Sequence, residues 1–257
     1  MASFTASDGV EIAYDDLGPS GSRAALLVHG FASNRVENWK RTGWYAAFER
    51  RGQRLIAPDM RGHGESGKPH EAERYGRARI ARDLAELIEH LGLGPVDLIG
   101  FSMGSGAALA LALEQPDLVA TLTLGGVGGR MLEPSRAPGA VAFAMEAENP
   151  DDIGVPLLRS FRQFADEQGE DRLALAACTK APSQPVDPDS LFALRMPVLV
   201  VAGSRDDLAG DPQALADLIP GAHAVTLPAC DHFSAIPHAL LKAAVFDFLD
   251  GMLDEYP

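Results

Sequence analysis

Cysteine is scarce, and the two present, Cys178 and Cys230, are too few for a disulfide framework. A reducing compartment fits, so a cytoplasmic location is expected. Basic residues are also in deficit: 22 Lys and Arg against 36 Asp and Glu give a formal net charge of -14. That balance disfavours nonspecific binding to nucleic acid or to an anionic membrane. The acids are scattered, with no acidic tail, and solubility accounts for them. Long apolar runs are missing too, since none approaches the ~20 residues of a membrane span. The opening stretch, MASFTASDGVEIAYDD, has neither a basic start nor an apolar core, so no secretory signal is expected. No internal repeat or low-complexity block occurs. What is there is a chain of 257 residues. That length suits one large domain, or a domain with an insertion. At this size roughly 70–75% of the unfolded surface can be buried without a metal or disulfide staple.

The apolar pattern alternates between short buried runs and longer amphipathic ones. GVEIAY (Gly9–Tyr14) follows a Ser-Asp-Gly turn and reads as a hairpin strand. AALLVHG (Ala24–Gly30), RLIAPD (Arg54–Asp59), VDLIG (Val96–Gly100), LVATLTLGG (Leu118–Gly126), MPVLVVAG (Met196–Gly203) and AHAVTL (Ala222–Leu227) read as further strands. Between them, Trp39–Arg51, Arg77–Leu91 and Met103–Glu114 read as helices, and Leu240–Leu249 as a closing one. Buried strands alternating with helices predict an α/β fold, a mostly parallel sheet covered on both faces. Residues 127–195 break the alternation. They carry several prolines, no buried strand and helical patches such as LLRSFRQFADEQ, and are too long for a loop. We read them as a helical insertion, with residues 1–126 and 196–257 as the core.

Gly100-Phe101-Ser102-Met103-Gly104 admits two readings. It fits G-x-S-x-G, a strained strand-to-helix turn presenting a nucleophilic serine. Gly100, Gly104 and Gly106 also fit a glycine turn that cradles a dinucleotide phosphate. The second reading needs the turn after the first strand of its unit, and an acid ~20 residues on, at a strand end. Strong strands precede these glycines, and no acid ends Leu118–Leu124. The nucleophile reading is therefore preferred. A serine needs a base, and in a parallel sheet that base should follow a strand directly. His232 does. His223 begins the last strand, at the wrong end, and His238 lies at the start of the final helix. The base in turn needs an acid to hold its tautomer. The turn GSRDD offers Asp206 and Asp207, whereas Asp231 is sequence-adjacent to His232 and poorly placed to bond it.

With these residues in order, the chain resembles the α/β-hydrolase superfamily, serine esterase/lipase-like branch, over nearly its whole length. LVHGF (Leu27–Phe31) is similar to its oxyanion loop, DMRGHGES (Asp59–Ser66) to its Asp-x-Arg-Gly-x-Gly-x-Ser segment, GFSMGS to its elbow and GSRDD to its Gly-x-x-Asp turn. The resemblance implies a doubly wound, mostly parallel eight-stranded sheet with an antiparallel start and a helical cap. It implies Ser102 as nucleophile, His232 as base and Asp206 as acid, with Asp207 the runner-up. It gives the backbone N–H groups of Phe31 and Met103 as the oxyanion hole. His29, Asp59, Arg61 and His63 are expected to hold loops. Where relatives often read Ser-Met-Gly-Gly, this chain has Ser105, expected to pack or cap beneath the elbow.

Serine at the elbow points to acyl transfer to water, with no metal or other cofactor. A small carboxylic ester is the expected substrate, and enol-lactone or carbon–carbon bond hydrolysis are alternatives with the same triad. Arg130, Arg159 or Arg162 would bind a substrate carboxylate in those cases, although solvated arginines are the simpler reading. Cys230 is expected to pack as a small apolar group. From another class, a noncatalytic binding protein on this fold is an alternative, disfavoured because no triad member is missing. Oligomeric state is not legible.

Overall fold

The computed structural model describes residues 2–134, 139–182 and 185–255. Residues 1 and 256–257 of the expected core, and 135–138 and 183–184 of the expected insertion, lie outside the described residues. A hairpin of β1 (Ala2–Thr5) and β2 (Glu11–Leu17) starts the chain. Then come β3 (Ala25–Val28), α1 (Trp44–Arg51), β4 (Leu55–Pro58), α2 (Arg77–His90), β5 (Val96–Phe101), α3 (Met103–Glu114) and β6 (Val119–Gly125). Three helices follow, α4 (Ala140–Glu146), α5 (Pro156–Gln168) and α6 (Arg172–Lys180). The chain closes with β7 (Val198–Gly203), α7 (Pro212–Ala216), β8 (His223–Leu227) and α8 (Ala239–Leu249).

The eight strands form one sheet, in the order β1-β2-β4-β3-β5-β6-β7-β8. β2 runs antiparallel to both β1 and β4, and the remaining pairings are parallel. Side chains alternate across a strand, and here the alternation feeds two cores. Leu26, Ile56, Leu98 and Val200 face the layer of α2, α3 and α7. Their neighbours Leu27, Leu55, Ile99 and Val201 face α1 and α8. Burial on both faces explains why these strands read as unbroken apolar runs. Each such Leu, Ile or Val stabilises the fold by roughly 1.5–3 kcal/mol.

The helical reading of Trp39–Arg51 needs correction. A wide turn at Val36–Lys40 ends at Gly43, which takes φ +84°, and α1 starts only at Trp44. In one continuous helix the five-residue spacing would turn Trp39 and Trp44 to different faces. The break lets both bury, edge to face at 5.4 Å. Among the described residues, 127–195 contains helices and no strand. α4, α5 and α6 share a small core of their own, with Ala142, Met145, Ala165 and Leu175 packed around Phe161 and Phe164. That core also takes in Ala32 and Phe31 from the loop after β3. Glu170, between α5 and α6, accepts from Asn34 Nδ2 at 3.0 Å and from the Gly64 N–H at 2.9 Å, tying the helices to the sheet's loops.

Candidate active site

β5 and α3 are joined without a loop, and Ser102 is the joint. It takes φ +54°, ψ -116°, a region ordinary residues avoid. The glycines around it have steric reasons. A Cβ on Gly100 would lie 2.6 Å from the Gly104 carbonyl and from Ser105 Cα, and one on Gly104 would lie 2.2 Å from the Val28 carbonyl. Both contacts are with backbone, so nothing can swing aside. The Gly125 carbonyl at the end of β6 accepts twice, from the Ser102 N–H and from Ser105 Oγ, both at 2.8 Å. Ser105, fully buried, therefore ties the elbow to the neighbouring strand, which is more than packing beneath it.

His232 reaches the serine from the loop after β8. Its Nε2 is 2.9 Å from Ser102 Oγ, and its Nδ1 is 2.8 Å from Asp206 Oδ2. A carboxylate accepts at Nδ1, so Nδ1 carries the proton and Nε2 is free to accept from the serine hydroxyl. Asp206 follows β7 and is buried, and its Oδ1 accepts from the N–H groups of Leu208 (3.1 Å) and Ala209 (2.9 Å). Three donors thus fix one carboxylate. Asp207 is exposed and does not meet the imidazole. Asp231 turns away to cap Phe233 and Ser234. Gly203 and Cys230 bring the two loops together: a Cβ on Gly203 would stand 2.2 Å from the Cys230 carbonyl. Cys230 is a buried free thiol in that contact. His238 caps α8, its Nδ1 accepting from the Leu240 N–H at 3.2 Å.

The loop after β3 comes close to the elbow. A Cβ on Gly30 would sit 3.4 Å from Ser102 Cβ. Among the described residues, no protein acceptor takes up the Phe31 N–H or the N–H of Met103, the first residue of α3. His29 holds this loop: its Nδ1 donates to the Gly30 carbonyl at 2.8 Å, and its Nε2 accepts from the Met60 N–H at 2.9 Å. Burial pushes the His29 imidazole down to about 4 and that of His63, 5.2 Å away ring to ring, to about 3. Behind them, Asp59 accepts from the Arg35 N–H at 2.7 Å and the Glu65 N–H at 2.8 Å, and Arg61 clamps Asp83 at 2.6 Å and Asp8 at 2.8 Å. Asp59, Arg61 and His63 therefore act on loop geometry.

Two cavities share Ser102 and His232. One, of about 230 Å³, is lined by Phe31, Phe161, Phe164 and Phe233. The other, of about 360 Å³, carries Arg77, Arg130, Met131 and Glu133. Of the arginines offered as carboxylate ligands, Arg162 is buried and bonded to Asp166 and to the Ala144 and Ala147 carbonyls. Arg159 donates to the Ile153 carbonyl at 2.8 Å. Arg162 is therefore taken up within the protein, whereas Arg159 is half-buried with a single carbonyl acceptor. Arg77 escapes sequence reading because on α2 it counts as one more charge on the polar face. Glu170 escapes it too, since its partners lie more than 100 residues away. Among the described residues, no group of three or more His, Cys, Asp and Glu is arranged to hold a metal ion.

Comparison with known proteins agrees with this fold. Residues 25–140 match the family described as alpha/beta hydrolase fold. The chain is similar to the 2-hydroxymuconate semialdehyde hydrolase of Pseudomonas putida, 29% identical over 84% of this chain and 82% of that protein. It is 37% identical to the sn-1-specific diacylglycerol lipase of Mus musculus, over 56% of this chain and 45% of that one. Against the first of the curated relatives, a Bacillus subtilis protein, the match spans 42% of that protein's length, so less than half of it. A thermophilic esterase from Thermogutta terrifontis superposes with a TM-score of 0.73 at 27% identity, over 98% of both chains. By its sheet order and these matches, the chain has the α/β-hydrolase fold.

Proposed function

We propose that the protein is a serine hydrolase that cleaves a small carboxylic ester through an acyl-enzyme on Ser102. One observation carries the reading: the unbroken chain Ser102–His232–Asp206, at 2.9 and 2.8 Å, on a strained elbow beside two cavities. His232 Nε2 takes the hydroxyl proton as Ser102 Oγ attacks the ester carbonyl. The imidazolium so formed is stabilised by Asp206, whose Oδ1 is already held by two N–H groups. The free N–H groups of Phe31 and Met103 receive the oxyanion, and the positive end of α3 favours the same charge. His232 then gives its proton to the leaving alcohol. Water attacks the acyl-enzyme by the same route in reverse.

In this reading residues 127–195 form a cap, with Phe161 and Phe164 of α5 supplying an apolar wall for one half of the ester. No helix among the described residues is long and apolar enough to cross a membrane. A cytoplasmic location belongs to the proposal and rests on the scarcity of cysteine. The Pseudomonas putida relative favours a second reading, carbon–carbon bond hydrolysis by the same residues. Turnover of 4-nitrophenyl acetate and butyrate, compared with enol-lactones and ring-cleavage products, separates these substrates. A burst of nitrophenol equal to the enzyme concentration is expected. Ser102→Ala should lower kcat by about 10,000-fold or more. Wild-type turnover in that variant would contradict the proposal.

A further inference from the structure

The larger cavity at Ser102 contains a cation that no described residue neutralises. Arg130 donates to Glu133 at 3.2 Å and is matched. Arg77 has no carboxylate or carbonyl partner among the described residues, and burial is the one influence on its guanidinium, lowering its pKa. The other deeply placed arginines are satisfied: Arg35 by Asp59, Arg61 by Asp83 and Asp8, Arg162 by Asp166. In a chain with a net charge of -14, half-buried Arg77 thus has no carboxylate beside it among the described residues. Its place on the helix sharpens the point. Arg77 is the first residue of α2, whose first turn has no acid and whose N-cap, Gly76, offers no side chain. A helix N-terminus disfavours a cation and favours an anion. Gly76 and Arg77 both line the cavity, so the helix end and the guanidinium present positive charge to the same space.

The distance to the chemistry is short. Gly106 lies one turn beyond Ser102 in α3, its N–H 3.3 Å from the Ser102 carbonyl, and a Cβ on Gly106 would lie 3.4 Å from Arg77 Nε. Those four residues correspond to roughly 6 Å of helix rise. We propose that Arg77 recognises a carboxylate on the substrate, so that the preferred substrate is an anionic ester or lactone. Its charged arm enters this cavity, and its apolar arm enters the phenylalanine-lined one. The inference rests on Ser102 being the nucleophile of a hydrolase.

Two substrate pairs test it. In the first, 4-nitrophenyl hemiglutarate is compared with neutral 4-nitrophenyl valerate. In the second, the butyryl ester of glycolate is compared with that of glycolamide. The readout is the ratio of kcat/KM for the charged to the neutral ester. In one of the two series the unmodified protein should favour the charged ester, which also tells which arm enters the cavity. Arg77→Met should lower that ratio about 10–100-fold, chiefly through KM, as loss of a charge-assisted hydrogen bond implies. Arg77→Lys should recover part of it. Independently of any variant, butyrate should compete with substrate in the unmodified protein at concentrations where butyramide does not. A ratio that stays within twofold in Arg77→Met, or equal effects of butyrate and butyramide, would overturn the assignment of Arg77. Absence of neutral-ester turnover and of fluorophosphonate labelling in the unmodified protein would instead contradict the hydrolase reading, and this inference with it.

Discussion

Ser102 holds a backbone conformation that costs roughly 1–3 kcal/mol in a non-glycine residue. Its neighbours offset that cost locally. Its own N–H and the Ser105 hydroxyl both engage the Gly125 carbonyl. Ser105→Ala should therefore lower stability by about 1–2 kcal/mol in urea denaturation, with kcat falling only as far as the elbow loosens. The proposed acid is the sharper case at this scale. Asp206 touches His232, whereas Asp207 is exposed. Asp206→Asn should cut kcat by about 10,000-fold, because an amide no longer enforces the tautomer with Nδ1 protonated. Asp207→Asn should stay within a few-fold of the unmodified protein. The reverse ranking in steady-state kinetics would move the acid role to Asp207.

The elements hold these residues because β3, β5, β6 and β7 all end at one edge of the sheet. Parallel strands deliver their following loops to the same side, so residues far apart in the chain converge there. The turn at Ser102 is also a packing device. Gly104 lets α3 touch the end of β3, where a Cβ would stand 2.2 Å from the Val28 carbonyl. Gly104→Ala should displace the helix, costing stability by several kcal/mol and removing ester turnover together. Thermal denaturation alongside activity checks this; an unperturbed melting temperature would count against it. The strands were legible in sequence because burial on both faces makes them plain apolar runs. The order Ser102, Asp206, His232 was legible because each follows such a run. The break before α1 was not, since it depends on burying two tryptophans at once. The setting of Arg77 was not either: that no described carboxylate stands beside it is a tertiary fact.

At the scale of the whole molecule, buried charge and buried histidine link stability to pH. His29 titrates at about 4 and His63 at about 3 in the folded protein, both below the ordinary value of 6.5 because they are buried. Below pH 6.5 the unfolded chain takes up protons that the native state refuses. The stabilisation these groups give is thus complete above that pH and is lost as pH falls toward 4. Each histidine contributes a slope of up to about 1.4 kcal/mol per pH unit in that window. His63→Gln should flatten the dependence of urea-derived stability on pH between 6 and 4.5, whatever it does to stability at pH 7. An unchanged slope would mean that His63 titrates normally. The same buried pair holds the loop that carries the Phe31 N–H, so acid should slow turnover before it unfolds the sheet. The central claim remains that Ser102 is a nucleophile. Its most direct test is to treat the folded protein with a fluorophosphonate and map the adduct by mass spectrometry. The account predicts a single stoichiometric adduct on Ser102 that is abolished in His232→Ala. A folded protein that stays unlabelled, or is labelled elsewhere, would contradict it.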